Sequence, residues 1–67
     1  MKDNYLINSE IVNEIKEYIK NHKMEPFGAV LYNLGILNII TNVSDFYYED
    51  SEEIKKRMEK VKEKGHI

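Results

Sequence analysis

His22, Glu25 and His66 are the side chains nearest to a metal-ligand set in this sequence, two imidazoles and one carboxylate. A structural zinc site takes four ligands and commonly uses thiolates, and the chain contains no cysteine. His22 continues an apolar stripe to the end of a helical pattern, where an imidazole bonded to a carbonyl is ordinary. His66 falls beyond the last periodic segment. No metal and no other cofactor is expected. Ser9, Ser44 and Ser51 supply hydroxyls, but each sits where a helix cap or turn wants one, and no base is spaced to activate it as a nucleophile. Asp45, Glu49 and Asp50 have the oxygen chemistry for a hard cation, without the glycine-centred loop that shapes a calcium site. The chain reads as non-enzymatic.

Two features point to binding instead. Phe46, Tyr47 and Tyr48 are consecutive aromatics followed by Glu49 and Asp50. Neither a helix nor a strand can turn three successive side chains into one core, so at least one ring should face outward. Exposed aromatics rimmed by charge are the composition of interface hot spots. Residues 46–50 are thus the candidate protein-binding site. The second feature is the basic run Lys55, Lys56, Arg57, Lys60, Lys62 and Lys64, which has the charge to touch phosphate. Five acids and no base occupy 45–53 just before it, so the plainer account is a helix whose charges complement its own dipole, acids first and bases last.

These residues need elements to hold them. Ser9 offers an N-cap, and Ile11, Val12, Ile15, Tyr18 and Ile19 recur at three- and four-residue spacings opposite Glu14, Lys16, Glu17 and Lys20. That pattern predicts an amphipathic helix over 9–22, with residues 1–8 as a flexible lead. Pro26 suits the first turn of a second helix, whose apolar face would be Phe27, Val30, Leu31 and Leu34, with Gly35 as its stop. From Ile36 to Val43 the β-branched run fits a third helix or a strand. Asp50 or Ser51 would cap a last helix over 51–64, with Asp50 and Glu53 in capping-box spacing and Gly65 after its end. Glu52–Lys56 and Glu53–Arg57 have the favoured i, i+4 orientation.

The block Pro26–Ser44 is nineteen residues without a charge in a chain where 33% of residues are charged. It has the length of a membrane span, but Asn33, Asn38 and Asn42 would each need a hydrogen-bond partner in hydrocarbon. It reads as a core element. The N-terminal MKDNYLINSE lacks the apolar region of a signal peptide, and a cytoplasmic location is expected. Ile, Asn, Lys and Tyr make up nearly half of the chain, a bias of AT-rich genomes that suggests a low-GC bacterium or its phage or plasmid.

The 67 residues make one domain, whose core supplies only about 3–5 kcal/mol. With no disulfide available, regular helix packing and self-association must supply the rest, and a homodimer through Ile54, Met58 and Val61 is expected. The fold expected is all-α, a small domain of three or four helices, with an α+β hairpin from 36–48 as the alternative. The function expected is a protein–protein interaction module, a regulator, inhibitor or accessory subunit, with an unidentified protein partner. The alternative is a dimeric helix-turn-helix DNA-binding regulator. Its recognition helix at 36–43 would offer Asn38, Thr41 and Asn42 to bases but no Lys or Arg, and the net charge is −2, so nucleic acid is the weaker reading.

Overall fold

The long helix α1 spans Tyr5–Asn21, four residues earlier than the Ser9 cap implied. Its start is set by the acid upstream: the Tyr5 amide donates to Asp3 Oδ1 at 2.9 Å, and the Asn8 amide donates to the Asn4 carbonyl at 2.8 Å. Ser9 therefore lies inside the helix, and Tyr5–Asn8 are helical. At the other end the His22 amide donates to the Ile19 carbonyl, and Lys20 stands in the last turn, where the exposed carbonyls favour a cation. The computed structural model describes residues 3–37 and 46–63.

Helix α2 covers Phe27–Asn33. Pro26 sits just outside it in an extended conformation, at the cap instead of the first helical position, and its carbonyl accepts from the Val30 amide at 3.1 Å. The helix ends in a Schellman turn, with Gly35 at φ +84. The Ile36 amide donates to Leu31 O at 2.9 Å and the Gly35 amide to Tyr32 O at 3.1 Å, which satisfies carbonyls the helix would otherwise leave open. The apolar contact that accompanies such a turn is present, since Ile36 is buried and Leu31 packs on the same cluster.

Helix α3 covers Ser51–Glu63. Asp50 caps it: Oδ1 accepts from the Glu52 amide at 3.0 Å, and the Asp50 carbonyl accepts from the Glu53 and Ile54 amides. Glu52 and Glu53 fill the first turn, and Lys60 and Lys62 the last. The expected pairing within the helix is shifted. Lys56 meets Glu53 at 3.7 Å, one residue closer than Glu52, and Arg57 pairs with Glu49 while the Glu53 charge stays near enough to favour the guanidinium.

The protein is a small all-α domain. No strand occurs among the described residues, and Phe46 and Tyr47, within the 36–48 span of the alternative hairpin, are helical. The third element expected over 36–43 falls outside the described residues except for Ile36 and Leu37. The uncharged block is not one continuous helix, because it breaks at Gly35, and no helix among the described residues is long and apolar enough to cross a membrane.

The core is Tyr18, Val30, Leu34, Ile36 and Met58, with Ile11, Ile15, Leu31, Phe46 and Ile54 packed against it. Each helix contributes one narrow stripe. The expected stripes were too wide: Val12 and Ile19 on α1 and Phe27 on α2 are exposed. On α1 the core arc runs through Ile11, Ile15 and Tyr18, and Val12 and Ile19 lie roughly a quarter-turn around the axis, beyond what α2 and α3 cover.

Candidate functional site

The aromatic run is where the structure separates roles most sharply. Phe46 packs against the core. Three residues later the Glu49 amide donates to the Phe46 carbonyl at 3.2 Å, closing a single turn over 46–49. Glu49 is held by Arg57 in a fork-to-fork pair, with Nη1 donating to Oε2 at 2.5 Å and Nη2 donating to Oε1 at 3.0 Å. With both ends of the turn tied down, the residues between them point out. Tyr47 and Tyr48 are each 80% exposed, and their rings meet edge to face with centroids 4.9 Å apart.

Of the five residues expected to bind a partner, Tyr47 and Tyr48 are on the surface as aromatic faces. Phe46 and Glu49 serve as anchors, and Asp50 is the cap of α3. The stripe expected for self-association turns inward. Met58 is 1% exposed in the chain's own core, and Ile54 packs beside it. Val61 reaches Gly35 so closely that a Cβ built there would lie 2.7 Å from Val61 Cγ2. Met58 is thereby closed to a second copy, while Ile54 and Val61 are half-buried beside it.

Arg57 is the residue that sequence reasoning misplaced most. Its spacing pairs it with Glu53 along the exposed face of α3, yet it joins three segments. Besides Glu49, its Nε donates to Gly35 O and its Nη2 to Ile36 O, both at 2.6 Å. The guanidinium thus caps the end of α2, fixes the aromatic turn and belongs to α3 at once. Its hydrogen bonds and charge hold the Glu49 carboxyl below the usual range, against a smaller opposing effect of burial. The same contact pushes Arg57 up. A signal was available in the sequence: Arg57 is the only arginine in the chain, and arginine is the cation whose fork suits one carboxylate and two carbonyls together.

Two further bases of α3 are also used internally. Lys55 and Lys62 donate to Glu14 Oε1 on α1, at 3.1 Å and 2.6 Å. Burial raises the Glu14 pKa, but the hydrogen bonds and charges of the two lysines together outweigh it and leave the carboxyl below its usual range. Glu14 Oε2 is buried without a donor among the described residues. Lys55, Arg57 and Lys62 therefore serve the fold, and Lys64 lies outside the described residues.

The depressed carboxyls make a prediction. A carboxylate whose folded pKa lies below its unfolded value adds stability above the unfolded value and loses it as pH falls through the folded one. Glu49 and Glu14 should leave the melting temperature flat at neutral pH and falling below the ordinary carboxylate value of 4.5. Circular dichroism melts across an acid series check this, and Glu49→Gln should flatten the fall. An unchanged acid slope in that variant would remove Glu49 as a cause.

His22 and Glu25 occupy a different corner. His22 stacks on Tyr18 with ring centroids 3.8 Å apart, and its Nδ1 lies 2.9 Å from the Tyr18 carbonyl, a contact that suits the Nδ1–H tautomer. The Tyr18 hydroxyl donates to the two Glu25 carboxylate oxygens at 2.9 and 3.0 Å, and Asn33 Nδ2 donates to Glu25 Oε1 at 3.0 Å. Burial and the neighbouring carboxylate raise the Tyr18 pKa. This cluster binds the α1–α2 turn to both helices. An open depression of about 400 Å³ next to it is walled by Glu14, Tyr18, His22, Leu34 and Lys62 among others. Across it Lys62 donates to Glu14, and the Tyr18 hydroxyl is turned to Glu25. Among the described residues no group of three or more His, Asp or Glu is placed to hold a metal ion. His66, Asp45 and Ser44 lie outside them.

No protein-family model, curated protein or solved structure matches this chain. The functional argument therefore rests on the geometry alone. Its most specific element is the anchored turn that presents Tyr47 and Tyr48.

Proposed function

We propose that the chain is a non-enzymatic binding module, a regulator, inhibitor or accessory subunit, that meets a protein partner through Tyr47 and Tyr48. The observation that carries this reading is the exposure of two adjacent rings on a turn whose ends are fixed by Phe46 in the core and by the Glu49–Arg57 pair. Tyrosine offers a large contact area with few rotatable bonds. A turn already held in place loses little further freedom on binding. Exposing two large rings costs the free protein solubility, which a surface used for recognition can justify.

The test is capture of partners from lysate on the tagged chain, with and without nuclease, followed by the double variant Tyr47→Ser/Tyr48→Ser. A protein retained through nuclease treatment is expected. The double variant should weaken its binding about thirtyfold or more, the effect of losing a hot spot worth 2 kcal/mol. The helical circular dichroism should be unchanged, because neither ring is part of the core. Undiminished binding by the variant places the interface elsewhere, and retention that disappears with nuclease favours nucleic acid.

A further inference from the structure

We propose that the corner between α1 and α2 docks on an anionic lipid bilayer, with Met24 and Phe27 entering the interface and Lys20 and Lys23 meeting the headgroups. The corner is a tip. The Glu25 amide donates to the His22 carbonyl at 3.2 Å, which closes a turn with Lys23 and Met24 at its centre. Met24 is 94% exposed, and Phe27, the first residue of α2, is 61% exposed. Apolar side chains that project from a convex turn suit a fluid interface, which closes around them without a preformed pocket.

The charges at the tip favour the same contact. Lys23 stands exposed beside Met24, and α2 carries no charge along its whole length. The one acid of the turn, Glu25, is half-buried and accepts from the Tyr18 hydroxyl and Asn33 Nδ2, so its carboxylate is drawn back toward the fold. Lys20, in the last turn of α1, meets Glu17 at 3.3 Å with both side chains largely exposed. Such a pair is worth little in water, and headgroup phosphates compete for the lysine.

Tertiary structure sets the sign of this end of the molecule. Helices α1 and α3 run in the same direction: the Ser51 hydroxyl donates to Asn8, Lys55 donates to Glu14, and Lys62 and His22 wall one depression. Their acidic starts therefore share one end of the domain, and their basic ends share the other. Residues 3–10 and 46–53 hold six acids and no base. Residues 16–25 and 60–63 hold five bases and three acids, Glu25 among them. Arg57 and Lys56 pair with two of the six acids, Glu49 and Glu53, and the ends still differ in sign. A chain of net charge −2 is thus a charge dipole, with its positive pole at the corner that carries Met24 and Phe27.

An anionic bilayer attracts that pole and repels the other, which orients the molecule with the apolar tip leading. Two apolar side chains and two lysines make a reversible attachment that needs both contributions. The Tyr47–Tyr48 turn adjoins the start of α3, at the acidic end, and remains turned to water. The attachment uses no residue of that turn, so the two proposals stand or fall separately.

Co-sedimentation of the full chain with vesicles of phosphatidylglycerol and phosphatidylcholine in equal parts tests the proposal. Binding is expected at low salt, weakening as salt is raised, with none to phosphatidylcholine alone. Lys20→Gln/Lys23→Gln should lower the partition coefficient about thirtyfold. Met24→Ser/Phe27→Ser should lower it on the order of tenfold. All four side chains are exposed, so circular dichroism should match the wild type. Tyr47→Ser/Tyr48→Ser should bind vesicles normally. Fluorescence of the Met24→Trp chain should be quenched by lipids brominated along the acyl chain, which separates insertion from adsorption. No binding to the anionic vesicles, equal binding to neutral ones, or undiminished binding by either lysine or apolar double variant would each overturn the proposal. So would an unquenched Met24→Trp chain on the vesicles. Capture of a protein that depends on Met24 and Phe27, with vesicles left unbound, would assign the corner to that protein instead.

Discussion

Arg57→Ala is expected to leave a large fraction of the protein unfolded in native buffer. The substitution removes four hydrogen bonds, two to Glu49 and one each to the Gly35 and Ile36 carbonyls. It also strands Glu49 as a partly buried carboxylate without its cation. Breaking a fully buried pair costs about 3–5 kcal/mol, and the partial exposure of both partners here brings the expectation to about 2–3 kcal/mol. Against a total of about 3–5 kcal/mol for a core of this size, that loss is most of the stability. Urea denaturation should show a lower midpoint with an unchanged slope, the signature of lost stability in an unchanged fold. Arg57→Lys should recover only part of it, because an ammonium cannot bridge a carboxylate and two carbonyls in one plane. A midpoint for Arg57→Ala within error of the wild type would show that the clamp is decorative. The same variant should also weaken partner binding through Tyr47 and Tyr48, since Glu49 would no longer hold their turn.

Gly35→Ala and Gly28→Ala should move stability in opposite directions, although both sites belong to the same short segment. Gly35 has φ +84, a region where a Cβ costs about 1–2 kcal/mol. The added methyl would also lie 2.7 Å from Val61 Cγ2 and 3.2 Å from the Arg57 carbonyl oxygen. Val61 can rotate away, but the backbone of α3 cannot, and overpacking of this kind adds about 1–3 kcal/mol. The total is expected to approach that of Arg57→Ala. Gly28 is helical, and a Cβ there meets nothing within 4 Å. Alanine at that position should stabilise α2 by about 0.5–1 kcal/mol. Each kcal/mol shifts the melting temperature of a domain this small by about 4–8 °C, so thermal melts resolve both changes. Equal effects of the two substitutions would contradict the role assigned to the Gly35 turn.

The two substitutions share a cause. The end of α2 is built by three independent devices at one place: the Schellman bonds, the positive φ of Gly35 and the Arg57 guanidinium. Gly35 has no side chain because α3 passes directly over it, and the same closeness lets Arg57 reach both carbonyls. A chain with a five-residue buried core among its described residues gains from concentrating polar anchors where its helices meet.

The sequence alone determined the features that depend on neighbours along the chain. Helical periodicity in α1, the stop at Gly35, the Asp50 cap and the acid-to-base gradient of α3 are local physics, with the relevant partners three or four residues apart. The all-α class follows from them. The exposure of part of the aromatic run was also legible, because three successive side chains cannot share one direction. What tertiary structure decided is which flank of each helix the neighbours cover. Periodicity marks an apolar arc on α1 that includes Val12 and Ile19, but α2 and α3 are wide enough to bury only the Ile11–Ile15–Tyr18 side. It also decided the partners of charged groups far apart in sequence. Arg57 with Glu49 and Gly35, and Glu14 with Lys55 and Lys62, are contacts between elements, and a charge pattern read along one helix cannot reveal a carboxylate brought to it by another. For the same reason Met58, placed by its spacing on a candidate dimer stripe, proved to be core: an amphipathic stripe shows that a helix buries one face, and only the packed fold shows against what.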